Sequence, residues 1–133
     1  GNVNILPMIC FESTFPRLID SRSENEIIIN ISNDSWFGKT LAPHQHLQIN
    51  QIRALEFNRY ILRATNTGIS AVIDNKGRLI DHIENDTVGT INAQIPTATS
   101  LSFYSQYGDM FILMLIFLSL TLRGFNRISD NYE

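Results

Sequence analysis

Cys10 is the only cysteine in the chain, and it closes the apolar run Val3-Asn4-Ile5-Leu6-Pro7-Met8-Ile9 immediately before Phe11 and Glu12. A single thiol forms no internal disulfide, which leaves packing or reactivity as its use. Free cysteines are among the most buried residue types, so packing is a sound reading of the local pattern. A thiol at the end of a strand, followed by an acid and a helix start, is instead presented to substrate as a nucleophile. Covalent chemistry of that kind needs a base or cationic neighbour that favours the thiolate, and N–H donors for the oxygen of a tetrahedral intermediate. The backbone amide of Phe11 is placed to supply one donor. Glu12 has three readings: a base, a group that positions the loop, or an ordinary acid at a helix start. The base reading requires the chain to stay extended through both residues.

A second cluster is Ser32-Asn33-Asp34-Ser35-Trp36-Phe37-Gly38, which holds the only tryptophan. It follows a strand-like segment, as Cys10 does, so Asn33, Asp34, Trp36 and Phe37 join Phe11 and Glu12 as candidate substrate contacts. The histidines offer less. His44 and His46 stand two apart on a predicted helix and point to different sides, whereas metal-binding pairs on helices use i, i+4 spacing. With no second cysteine and no carboxylate at ligand spacing, no metal site is expected, and no cofactor motif is present. A Cys10–His46 dyad needs only spatial proximity, and nothing local supports it. His82 falls on a surface strand. Arg53, Glu56, Arg59 and Arg63 read as structural, with i, i+3 spacing suited to Arg53–Glu56 and Glu56–Arg59 ion pairs.

The elements that must position these groups follow from periodicity. Residues 3–10 read as a buried strand, and Glu12-Ser13-Thr14 with Phe15-Pro16 starts a short helix to Ser21. After the polar break Arg22-Ser23-Glu24-Asn25, Glu26 to Ile31 is a β-branched strand apolar on both faces. Such a strand is covered on both sides and runs parallel to its neighbours. Pro43 opens a helix that runs to Asn58. Tyr60 to Ala64 and Ile69 to Ile73 are strands around the turn Asn66-Thr67-Gly68. Asp74-Asn75-Lys76-Gly77 is a hairpin turn into Arg78 to Ile83, and Val88 to Ala93 adds a last strand. Alternating strands and helices followed by a meander predict an α/β domain with a mixed sheet. In such sheets the site lies outside the carboxyl ends of the strands, where Cys10 and the Asn33-to-Gly38 loop fall.

Composition agrees with one globular core: 44% of residues are hydrophobic, 17% are charged and the net charge is −3. Without a basic stripe, no nucleic-acid partner is expected. The chain opens at Gly1 directly before a strand, which reads as a fragment. Met110 to Leu122 runs thirteen residues without a charge. Extended back through Phe103, Tyr104 and Tyr107, and closed by Arg123 and Arg127, it approaches the ~20 residues a membrane span requires. The tyrosines then form an interfacial belt, and the arginines mark the cytoplasmic end. The expected division is a catalytic portion over 1–100, one transmembrane helix over 103–123 and a cytoplasmic tail over 124–133. A buried or partner-docking helix is the alternative.

Pro7-Met8-Ile9-Cys10-Phe11-Glu12, Ile31 to Lys39, Pro43-His44-Gln45-His46, Arg53-Ala54-Leu55-Glu56 and Arg63 to Ser70 together resemble the carboxyl-terminal part of the apolipoprotein N-acyltransferases. These are membrane members of the nitrilase, or carbon–nitrogen hydrolase, superfamily. The likeness runs from Val3 to the terminal helix. It implies the carboxyl-terminal half of a nitrilase-like α-β-β-α sandwich followed by one transmembrane helix, on the periplasmic side of the bacterial inner membrane. It implies a Glu-Lys-Cys triad with Cys10 as nucleophile, a phospholipid acyl donor, a thioester intermediate and a diacylglyceryl apolipoprotein acceptor, with no cofactor. Glu12 matches a position that helps hold the site, and Trp36 an aromatic position beside it. The triad's Glu and Lys precede the cysteine in the family, and here only nine residues do. Neither Glu12 nor Lys39 takes those roles, so this chain alone is expected to be inactive, since members of a triad act as a unit. Two rivals are a soluble nitrilase-superfamily amidase that hydrolyses a C–N bond, and a membrane-anchored binding module in which Cys10 is packed.

Overall fold

The computed structural model describes residues 3–19, 27–96 and 100–129, with side chains through Arg123. The expected break Arg22-Ser23-Glu24-Asn25, Glu26, the Arg127 side chain and the tail beyond Ser129 lie outside the described residues. Five strands, β1 (Ile5–Ile9), β2 (Ile27–Ser32), β3 (Tyr60–Thr65), β4 (Ser70–Ile73) and β5 (Leu79–Ile83), form one sheet in sequence order. The first three run parallel and the last two return antiparallel. Connection length sets this division: helix α1 (Ala42–Phe57) carries the chain from β2 to β3, whereas β3, β4 and β5 are joined by tight turns. Asn58 ends α1 in the left-handed conformation, φ 54°, a common helix stop.

Register decides which side chains face α1. Leu6, Ile28 and Ile61 lie abreast across three strands, as do Met8, Asn30 and Arg63. The apolar members of these rows, with Ala71 and Ile73, pack against Leu47, Ala54 and Phe57 of α1 and form the core. Asn30 and Arg63 share that buried face and mark where apolar core gives way to polar site. The opposite face carries Ile5, Pro7, Ile9, Ile29, Ile31 and Leu62. There Ile9 is 68% exposed and Ile31 57% exposed. The double-sided apolar character of β2 is therefore matched by a layer on one side only among the described residues.

Three sequence expectations change. The helix expected after Glu12 is instead a pair of 3₁₀ turns, Cys10–Thr14 and Pro16–Leu18, separated by Phe15 in an extended conformation. A residue preceding proline is disfavoured in helical backbone, so Pro16 splits the segment. Val88 to Ala93 forms no strand. It returns across the open sheet face, where Gly89 and Ile91 join Ile29, Leu62 and Ile83 around a hollow of about 290 Å³. The helix expected over 103–123 is broken into α2 (Phe103–Tyr107) and α3 (Met110–Ser129) by Gly108, whose φ is 55°. Among the described residues no helix is long and apolar enough to cross a membrane. Side chains of α3 from Met110 to Arg123 are nevertheless all exposed. Residues just ahead of α3 are anchored to the domain: Tyr104 meets Phe57 edge-on at 5.9 Å, and Asn58 Nδ2 donates to Ser100 O at 2.8 Å.

Candidate active site

Cys10 follows the last residue of β1 and opens the first 3₁₀ turn with φ 49°. Positive φ is uncommon for a residue with a side chain and persists only where the surroundings hold it. Three elements do so. From β2, Asn30 Nδ2 donates to Cys10 O at 3.1 Å. From α1, His46 Nε2 donates to the same oxygen at 3.2 Å. Glu12 reaches back so that its Oε2 accepts the Ile9 N–H at 2.6 Å, which ties the turn to the end of β1. Further along the turn, Asn50 Nδ2 donates to Ser13 Oγ at 3.3 Å and Arg53 Nε donates to Ser13 O at 2.9 Å. His46, Asn50 and Arg53 stand at i, i+4 and i+7, so one stripe of α1 grips the whole turn. Arg53 is in turn paired with Glu56, as the spacing suggested.

Beneath the turn lies a buried polar cluster. Arg63 is 3% exposed, and its Nη2 donates to Asp34 Oδ2 at 2.6 Å. Its Nη1 donates to Asn30 Oδ1, and its Nε to Ile69 O at 3.2 Å. Burial lowers the Arg63 pKa and Asp34 raises it again, and a guanidinium remains charged under either influence. Asp34 Oδ1 accepts from Ser32 Oγ at 2.6 Å, and that hydroxyl also lies 3.4 Å from Cys10 Sγ. Gly68 makes the cluster fit: a Cβ there would sit 2.8 Å from both Cβ and Cγ of Asp34.

The protonation of His46 follows from its partners. A carbonyl only accepts, so Nε2 carries the hydrogen toward Cys10 O. Nδ1 is then an acceptor, and Arg63 Nη2 donates to it at 3.1 Å. Burial lowers the His46 pKa from its ordinary value, the Arg63 charge lowers it further, and Asp34 offsets only part of this. The ring rests neutral, and its 3.1 Å approach to Asp34 becomes an ion pair only after a second proton arrives.

The rim is aromatic. Phe11 and Trp36 are exposed, Trp36 at 86%. Phe11 and half-buried Phe37 lie at 6.0 and 6.1 Å from the His46 ring. Of the residues expected at the site, Cys10, Phe11 and Glu12 share one turn, and Trp36 and Phe37 sit on the 3₁₀ turn Asp34–Phe37 that follows β2. Asn33 is exposed, and its Oδ1 accepts the Ser35 N–H at 3.2 Å, which caps that turn. Asp34 departs from the expectation, because its carboxylate turns inward and is taken up by Arg63 and Ser32 rather than offered at the rim. Lys39 is exposed and borders a cavity of about 440 Å³, together with Asp34, Thr67 and Asn85. Among the described residues no group of His, Cys, Asp and Glu is arranged to hold a metal ion.

Sequence reading missed Asn30, Arg53 and Arg63 as parts of the site, and it considered His46 only as a dyad partner of Cys10, whereas the ring meets the Cys10 carbonyl oxygen. A signal existed for two of them: Asn30 interrupts a run of isoleucines and Arg63 interrupts Tyr60-Ile61-Leu62, both at inward positions where a polar group survives only with partners.

The sequence profile of the carbon–nitrogen hydrolases covers residues 2–102. This chain belongs to the carbon–nitrogen hydrolase family. Within that family it is similar to the apolipoprotein N-acyltransferase of Caulobacter vibrioides, with 44% identity over 86% of this chain and 22% of the relative. The same is true of the apolipoprotein N-acyltransferase of Nitrosomonas europaea, at 39% over 84% of this chain and 23% of that protein. The chain thus spans less than a quarter of the length of these curated relatives. Its fold is similar to that of a carbon–nitrogen hydrolase from Helicobacter pylori, with a TM-score of 0.53 over 64% of this chain and 41% of that one at 15% identity. For this carbon–nitrogen hydrolase chain, the nitrilase-like expectation of an α/β domain with a mixed sheet therefore stands.

Proposed function

We propose that the chain is the carboxyl-terminal, nucleophile-bearing part of a longer membrane enzyme that moves a fatty acyl chain from a phospholipid to the α-amino group of a diacylglyceryl-cysteine on an apolipoprotein. The observation that carries this reading is Cys10 itself, a half-buried residue at a strand end with its backbone fixed from β2 and α1. In the first half-reaction the Cys10 thiolate attacks the ester carbonyl, the tetrahedral oxyanion collapses and the lysophospholipid alkoxide leaves with a proton. In the second the free amine attacks the thioester, an amide forms, the amine sheds its proton and the thiol is restored. The base and the ammonium for these steps come from the portion of the enzyme ahead of Cys10.

Two further features support this reading. The open face of Ile5, Ile9, Ile29 and Ile31 suits a second sheet laid over it, as an α-β-β-α sandwich requires. A helix apolar all round needs either protein or lipid about it, and the Met110-to-Leu122 surface of α3 meets that need in a bilayer. Phe11 and Trp36 at the rim then face the acyl chain, and residues 1–100 lie on the periplasmic side.

The test is Cys10→Ser in the full-length enzyme. Incubation of the wild type with phospholipid is expected to load one hydroxylamine-labile acyl group on Cys10, seen by intact-protein mass spectrometry. The variant should lose both the adduct and transfer to a lipoprotein acceptor, by at least ~10³-fold for removal of a covalent nucleophile. Undiminished transfer refutes the reading. An acyl adduct discharged to water with the acceptor present would place the chain among the hydrolases instead.

A further inference from the structure

We infer that Asn30 and His46 are positioning residues that aim the Phe11 N–H at the oxyanion by holding the Cys10 carbonyl from the opposite side, an inference that rests on Cys10 being the nucleophile. The carbonyl and the N–H of one trans peptide unit point in opposite directions, and no cis peptide occurs among the described residues. Whatever fixes the direction of Cys10 O therefore fixes that of Phe11 N–H. Two donors converge on this oxygen from elements remote in sequence, Asn30 at 3.1 Å and His46 at 3.2 Å. Both side chains are buried, at 0% and 2% exposure, so neither donor competes with water.

Buried partners set the orientation of both. Arg63 Nη1 donates to Asn30 Oδ1, so the amide must present Nδ2, not its oxygen, to Cys10 O. Cys10 O only accepts, so the His46 ring carries a hydrogen on Nε2, while its Nδ1 lies 3.1 Å from both Arg63 Nη2 and Asp34 Oδ1. Arg63 is itself tethered through Nε to Ile69 O and through Nη2 to Asp34. A flipped Asn30 or the other His46 tautomer would leave an N–H facing an N–H, or a lone pair facing the carbonyl. The left-handed backbone of Cys10 is thus held by two buried donors on its carbonyl, and the amide on the far side of the peptide is preorganised before substrate arrives.

The experiment compares two reactions of the same sulfur in the full-length enzyme. Acyl transfer builds an oxyanion, whereas alkylation by iodoacetamide displaces iodide at a tetrahedral carbon and builds none. His46→Leu is expected to lower kcat for transfer about 10- to 100-fold, a misaimed donor costing less than the ~10²–10³ of an oxyanion donor removed outright. KM and the iodoacetamide rate should stay within about 3-fold of wild type on the same grounds. His46→Gln, which keeps a donor at the ε position, should recover most of kcat. If His46→Leu fails to fold by circular dichroism, Asn30→Asp, which replaces the donor with an acceptor beside Arg63, is read in the same two assays with the same expectation. Equal losses of alkylation and transfer, no loss of transfer, or no recovery with glutamine overturn the inference. Cys10→Ser separates the layers: if it retains transfer the nucleophile assignment falls, and if it abolishes transfer while the His46 and Asn30 variants do not, only the positioning role falls.

Discussion

At the scale of single residues, the chemistry of the site depends on which atoms carry hydrogens. His46 is neutral because burial and the facing Arg63 both disfavour its charged form, with Asp34 the opposing influence on its other side. That has a sign in pH. The unfolded chain binds a proton at His46 near the ordinary value of about 6.5, while the folded chain resists protonation until the pH is lower. Between those two points the unfolded state holds more protons, so the stability associated with His46 is present above the ordinary value and lost as pH falls toward the lowered one. Urea unfolding in detergent at pH 7.5 and again near pH 5.5 should therefore show a lower midpoint in acid. His46→Gln should remove that part of the slope, and an unchanged slope in the variant would refute the assignment. Cys10 presents the opposite case, a residue whose type was conspicuous from the start and whose backbone conformation was not.

Among the elements, the close approach of the β3–β4 turn to the 3₁₀ turn after β2 is the tightest constraint on the site. Asn66-Thr67-Gly68 was recognisable as a turn, but its third residue is glycine for a reason that lies 34 positions back, at the Asp34 side chain. Gly68→Ala pushes a methyl group against Asp34 and strains its pairing with Arg63. Overpacking of this kind costs about 1–3 kcal/mol. The expected result is a fall in Tm of roughly 5–15 °C, from the usual several degrees per kcal/mol in a domain of this size. Thermal unfolding measured by circular dichroism checks it, and a Tm within 2 °C of wild type, about the effect of a neutral surface change, would show that the turn moves aside freely. The helix α1 contributes a second lesson. Its apolar residues were legible by period, yet the stripe that matters for chemistry is the polar one, His46, Asn50 and Arg53, whose partners on the Cys10 turn are 36 to 40 residues away.

For the molecule as a whole, the distribution of apolar surface bears on the second sheet proposed above. One face of the sheet is covered by α1, and the other presents isoleucines of β1 and β2. Ile31→Lys on that open face touches none of the buried core. Its effect on the stability of this chain alone should stay within about 0.5 kcal/mol, as for surface substitutions in general. If a second sheet covers this face in the longer protein, as proposed, the same lysine is placed between two packed sheets, where a buried unpaired charge is strongly disfavoured. Expression with the preceding portion should then give a protein that is degraded or lacks transfer, judged by limited proteolysis and by acylation of a lipoprotein acceptor. Normal folding and transfer would mean that no second layer covers this face.

Much of this architecture was present in local pattern. The strands around residues 5–9, 27–32, 60–65 and 70–73, the helix from Ala42, the turn at Asp74 and the placement of Cys10 at a strand end all follow from side-chain period and turn chemistry, which act over a few residues. The family resemblance was legible for the same reason, since its motifs are contiguous. Tertiary structure alone decided what those contiguous pieces do to one another. It turned Asp34 inward and kept Val88 to Ala93 out of the sheet. Above all it brought Asn30, His46 and Arg63 together under Cys10. Parallel register and a crossover helix place residues from three distant segments within hydrogen-bond reach, and no window along the chain contains that information.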